Sequence, residues 1–159
     1  MKTALFLALA AIAAAQDPKH LRNIKQLTSG GQNAEAYWSP DGKRLSFQST
    51  RDKLECDQIF VMNSDGSDQK MISTGQGRTT CAYFLKDNKH VVYGSTHEAS
   101  PACPPPPDRS KGYLWGVFSG YELYVANLDG KIVKKLTTMP GYITRFKRAR
   151  RFAPNRRDS

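Results

Sequence analysis

The sequence predicts an all-β fold made of repeated four-stranded antiparallel sheets. Three observations carry that expectation: a long-range internal repeat, stretches in which apolar residues alternate with polar or small ones, and tight-turn dipeptides between those stretches. The segment Glu35 to Phe47 returns 46 residues later as Cys81 to Tyr93, with Ala36/Ala82, Tyr37/Tyr83, Trp38/Phe84, Asp41/Asp87, Lys43/Lys89 and Phe47/Tyr93 in register. The segment Gln58 to Gly66 returns 64 residues later as Glu122 to Gly130, with Val61/Val125, Asn63/Asn127, Asp65/Asp129 and Gly66/Gly130 matched. The difference of 18 residues is an insertion in the second copy, between Tyr93 and Tyr121.

Each copy divides into the same elements. Leu45 and Phe47, then Ile59 and Val61, alternate with polar or small neighbours, the period of a strand with one buried face. Between such runs stand Asp41-Gly42, Asp65-Gly66 and Asp129-Gly130, with Asp87-Asn88 in the matching slot. Asp/Asn-Gly pairs supply the positive φ angles that tight hairpins need. Asp65-Gly66-Ser67-Asp68 reads as a hairpin, because the acidic spacing does not continue to the Glu of a calcium loop. Lys70-Met71-Ile72 and Val133 to Thr137 supply fourth strands, and Leu27-Thr28 is the same element ahead of the first copy. Four antiparallel strands per ~45 residues is the size of a propeller blade.

Leu27-Thr28, Trp38-Ser39-Pro40-Asp41-Gly42-Lys43, Phe47, Ile59-Phe60-Val61-Met62 and Asp65-Gly66 together resemble the WD-like β-propeller repeat of TolB-type periplasmic proteins. The resemblance runs from about Ile24 to Tyr142 and implies an exported, non-catalytic binding scaffold. The same blades occur in secreted binding proteins and in the propeller domains of prolyl-oligopeptidase-type enzymes, so the repeat specifies a fold better than a function. Ring closure usually takes four to eight blades. Two blades are therefore expected to be the front of a longer propeller, or to assemble with other chains.

The remaining segments set the address. Residues 1–15 combine Lys2, the apolar run Ala4 to Ile12 and Ala13-Ala14-Ala15, the pattern of a secretory signal peptide. A periplasmic or secreted location follows, with a linker over 16–23, a first blade region over 24–72, and a second over 73–142 carrying a Pro-rich insertion over 96–120. Of the formal net charge of +10, the segment from Arg145 to Ser159 holds +6. This basic tail, 143–159, breaks the repeat and is expected to be irregular. Export makes nucleic acid an improbable partner, and an envelope protein the expected one, with self-association of the incomplete propeller also open. No stretch after the signal approaches the ~20 apolar residues of a membrane-spanning helix.

The insertion holds four consecutive prolines, Pro104 to Pro107, which cannot join a strand ladder. Its aromatic residues Tyr113 and Trp115, with Tyr121 beyond it, are the candidate binding contacts, since long loops on rigid scaffolds carry recognition. Strand alternation puts Cys56, Cys81 and Cys103 at one edge of the blades. Export permits a disulfide. Adjacency suggests Cys56–Cys81 first and Cys81–Cys103 second. Nothing points to catalysis, a metal or a cofactor. His97-Glu98 lacks the second His of a zincin, and Gly94-Ser95 lacks the second Gly of a nucleophile elbow. The alternative is the propeller part of an exported prolyl-oligopeptidase-type peptidase whose catalytic domain lies elsewhere.

Overall fold

The computed structural model describes residues 20, 22–113 and 116–138. The signal segment, Trp115 and the basic tail lie outside them. Eight strands run in chain order: β1 (Gln32–Trp38), β2 (Arg44–Thr50), β3 (Gln58–Asn63), β4 (Lys70–Met71), β5 (Thr79–Phe84), β6 (His90–Ser95), β7 (Glu122–Asn127) and β8 (Ile132–Lys135). They form two four-stranded antiparallel sheets, β1-β2-β3-β4 and β5-β6-β7-β8, each a simple meander. No helix among the described residues is long and apolar enough to cross a membrane.

The turns behave as their residues dictate. Gly42, Gly66, Asn88 and Gly130 have φ of 69°, 90°, 57° and 84°, the left-handed region that L side chains avoid and that Gly and Asn accept. The aspartates brace them. Asp41 accepts from the Lys43 amide at 3.1 Å, Asp65 from the Ser67 amide at 2.9 Å, and Asp87 from the Lys89 amide at 2.9 Å. Hydroxyls matter most for two of them: Ser39 Oγ donating to Asp41 and Ser67 Oγ to Asp65, both at 2.6 Å, hold those carboxyls below the ordinary 3.8 with the amides adding to the effect, and Asp87, bonded foremost to His90 Nδ1, falls to about 2.

Equivalent pairs oppose one another in each sheet: Leu45–Met62 and Phe47–Phe60 in the first, Val91–Ala126 and Tyr93–Tyr124 in the second. The period of two then sends alternate residues to opposite faces. Ile59, Val61 and Ile72 of the first sheet meet Ala82, Val91, Tyr93, Tyr124 and Ala126 of the second in the principal core. Burying a side chain of this size contributes roughly 1.5–3 kcal/mol. On the far face of the first sheet, Leu45, Phe47, Phe60 and Met62 are covered by Leu27 and Leu54. The Arg51 guanidinium lies 5.3 and 4.9 Å from the Phe47 and Phe60 ring centres.

The chain leaves both sheets in the same way. The Ile72 amide donates to the Ile59 carbonyl at 2.8 Å, and the Ile59 amide to Ser73 Oγ at 2.9 Å. Sixty-four residues later, the Leu136 amide donates to the Leu123 carbonyl at 2.7 Å, and the Leu123 amide to Thr137 Oγ1 at 2.9 Å. Gly66 abuts Leu27 as Gly130 abuts Ile72. Leu27 therefore stands to the first sheet as Ile72 stands to the second.

The cysteine pairing differs from the expectation. Cys56 is bonded to Cys103, with Cα atoms 5.6 Å apart, and Cys81 is the free thiol. The insertion folds back across the boundary between the sheets, where the Gly77 amide donates to the Pro101 carbonyl at 2.8 Å, and so delivers Cys103 to the β2–β3 loop. Cys81 stays within β5, its amide 3.4 Å from Gln48 Oε1 and its sulfur 3.3 Å from Thr80 Oγ1.

Candidate functional site

The two first strands, β1 and β5, each carry a bulge, between Ala34 and Tyr37 and between Thr80 and Tyr83. A bulge spends one residue outside the ladder and re-aims the side chains around it. Here the extra turn falls on Glu35 and Cys81, both at φ 52°. The Tyr37 and Tyr83 rings then meet at 4.2 Å, tying the two strands side by side. Burial raises the Tyr37 phenol above its ordinary range, reinforced by its hydrogen bond to the Glu35 carboxylate.

Glu35 and Cys81 border a cleft of about 240 Å³ at the edge where the β2–β3 and β6–β7 loops emerge. Asp57 and Arg78 form one wall. Asp57 accepts from Thr50 Oγ1 at 2.6 Å and pairs with Arg78 at 3.6 Å, while its backbone carbonyl accepts from the Thr79 amide at 3.0 Å. The Arg78 guanidinium faces the Phe118 ring at 5.3 Å and reaches Cys103 Sγ at 3.8 Å. Pro106, Pro107, Arg109, Tyr113 and Phe118 of the insertion supply the roof. Arg109 stacks over Tyr113 at 5.4 Å. The cleft is thus part polar and part aromatic, with an ion pair on its wall and stiff proline above. Such a surface suits protein recognition, where aromatic and Arg side chains supply anchoring area.

The predicted contacts separate. Tyr113 is 76% exposed at the rim of the cleft. Tyr121 is 2% exposed and belongs to the wall, because it enters β7 directly and its ring joins the packed interior. Trp115 lies outside the described residues. Sequence reasoning missed Asp57, Arg78 and Phe118. The position of Cys81 in the repeat, matched to Glu35, is the signal that points to the same edge. The turn residues Asp41-Gly42, Asp65-Gly66 and Asp129-Gly130 lie away from this cleft and serve the hairpins. No group of three or more His, Cys, Asp or Glu able to hold a metal occurs among the described residues.

No family model matches the chain. Over 55 residues it is 47% identical to the Tol-Pal system protein TolB of Geobacter sulfurreducens, a stretch amounting to 35% of this chain and 12% of that protein. The structure of the putative TolB from Agrobacterium tumefaciens matches it with a TM-score of 0.51 at 22% identity, over 73% of this chain and 38% of that one. The fold is TolB-like. The matches cover less than half of each TolB protein, 12% of one and 38% of the other, so the likeness describes two sheets and their packing. Within that TolB-like arrangement the covalently tied insertion and its cleft are described by this chain's own residues.

Proposed function

We propose that this chain is a non-catalytic periplasmic or secreted scaffold that docks a protein of the cell envelope at its loop edge. The observation that carries the reading is the cleft between β1 and β5, walled by Asp57 and Arg78 and roofed by an insertion bonded to the neighbouring sheet through Cys56–Cys103. The similar stretch in a Tol-Pal system TolB supports an envelope setting. Tyr113, exposed at the rim, is the first contact for a partner.

The peptidase alternative gains no support from the side chains. Ser95 Oγ lies 2.9 Å from His97 Nδ1, but Ser95 is completely buried and cannot reach a substrate. A photo-crosslinking residue placed at Tyr113 tests the docking reading in envelope extracts. One discrete crosslinked protein, lost when Arg78 is changed to Ala, is the expected result. Crosslinks no more abundant than from exposed Val133, on the other sheet edge, would overturn it.

A further inference from the structure

The Cys56–Cys103 bond spans 47 residues and joins the roof of the cleft to the loop of the preceding sheet. Its two ends differ in access. Cys56 is 3% exposed, whereas Cys103 is only half-buried and opens with it onto a hollow of about 220 Å³ beside Lys53, Glu55, Gly75 and Pro101. Arg78 stands behind the bond, its guanidinium 3.8 Å from Cys103 Sγ. The same Arg78 lines the cleft that the half-buried free thiol of Cys81 shares with Pro106 and Pro107. Hollow, bond, guanidinium and thiol are therefore consecutive neighbours.

We propose that Cys56–Cys103 is a thiol-exchange site at which a dithiol, entering by this hollow, releases the 102–109 arm and uncovers Cys81. A thiolate of the dithiol attacks Cys103 Sγ, the accessible sulfur. The sulfur–sulfur bond breaks, and its electron pair leaves on Cys56 Sγ, which takes a proton from water. The second thiol, deprotonated, attacks the dithiol sulfur of the mixed disulfide, and Cys103 departs as a thiolate beside the Arg78 cation. A cationic neighbour favours that departure. The protein disulfide gains two electrons and the dithiol becomes a cyclic disulfide.

Freed of its bond, the arm keeps the Gly77–Pro101 hydrogen bond as its tie to the second sheet's entry. The sheets keep their ladders and their shared core, neither of which uses the disulfide. Opening is thus a local event, drawn from the less stable part of the molecule. That the uncovered cleft serves docking rests on the function proposed above; the opening itself does not.

The test uses the full chain, dithiothreitol as the dithiol, and maleimide labelling resolved for each cysteine by peptide mass. Reduction is expected to accelerate labelling of Cys81 on the order of tenfold. The β signal in circular dichroism stays, and reoxidation restores the slow rate. The double variant Cys56→Ser, Cys103→Ser labels at the fast rate without reductant. Equal Cys81 rates with the bond open and closed would overturn the proposal, as would loss of the β signal on reduction, which would make the bond a purely structural one. Failure of the crosslink from Tyr113 alone, with Cys81 still uncovered on reduction, would count against the docking function and leave the exchange site standing.

Discussion

Glu35 and Cys81, 46 residues apart, occupy one structural position: each is the left-handed residue of a bulge in the first strand of its sheet, with φ of 52°. A carboxylate and a thiol have little in common, so side-chain chemistry does not select the conformation. The backbone repeat does. Both residues are non-glycine in a region costing roughly 1–2 kcal/mol, and the recurrence shows that the surrounding strands impose it. The expected outcome of Glu35→Gly is a stability gain of about 1 kcal/mol, read as a higher urea midpoint with an unchanged slope. A loss would mean that the Glu35 contact with Tyr37 outweighs the relief.

Gly31 and Gly77 form a second pair at the same interval, with φ of 66° and 61°. A Cβ on Gly77 would stand 2.7 Å from Thr96 Oγ1 and 2.8 Å from the His97 amide nitrogen, so backbone must move. Gly42, at φ 69°, has nothing within 4 Å. Gly42→Ala therefore costs only the conformational share, about 1–2 kcal/mol. Gly77→Ala is expected to cost at least about 1 kcal/mol more, because overpacking against backbone adds to the strain. Equal midpoints for the two variants would contradict the close approach.

The repeat explains how much of the fold is legible in the sequence. Turn position, strand order and sheet size are local consequences of Asp-Gly spacing and alternation, and both copies carry them. The cysteine pairing was not local. It depends on the path of residues 96–103 across the sheet boundary, and alternation puts Cys56, Cys81 and Cys103 at one edge without ranking their distances. Tyr121 illustrates the same gap: its aromatic character suits a contact surface or a core, and its entry into β7 leaves it 2% exposed in the cleft wall. Asp57 and Arg78 carry no motif at all, and only the packing of β5 against the first sheet brings them to the cleft.

Tyr93 and Tyr124 are fully buried at the interface between the sheets, with ring centres 6.3 Å apart. The Tyr93 hydroxyl has no hydrogen-bond partner, and burial pushes its phenol up to about 12. A buried polar group without a partner costs free energy that a hydrocarbon of the same shape does not. Tyr93→Phe should therefore raise stability by up to about 1–2 kcal/mol. Thermal unfolding measures this, and a lower midpoint would reveal a partner for the hydroxyl.

Acid should weaken the fold in two windows with different owners. His97, against the Tyr124 ring at 4.4 Å, is held below its ordinary value of 6.5 foremost by burial and also by the Lys135 cation, with Glu98 opposing. As pH falls below about 6.5 the unfolded chain takes up this proton first, so stability declines until the folded imidazole also titrates. Asp87 acts lower down. Its carboxyl, at about 2 when folded against 3.8, contributes stability that is present above about 3.8 and lost as pH drops toward 2. His97→Gln is expected to flatten the upper window alone and Asp87→Asn to reduce the lower one, which Asp41 and Asp65 share because they too are held below 3.8, each followed by urea unfolding at half-unit pH steps. A His97→Gln profile that still declines between pH 6.5 and 5 would assign that window to another group.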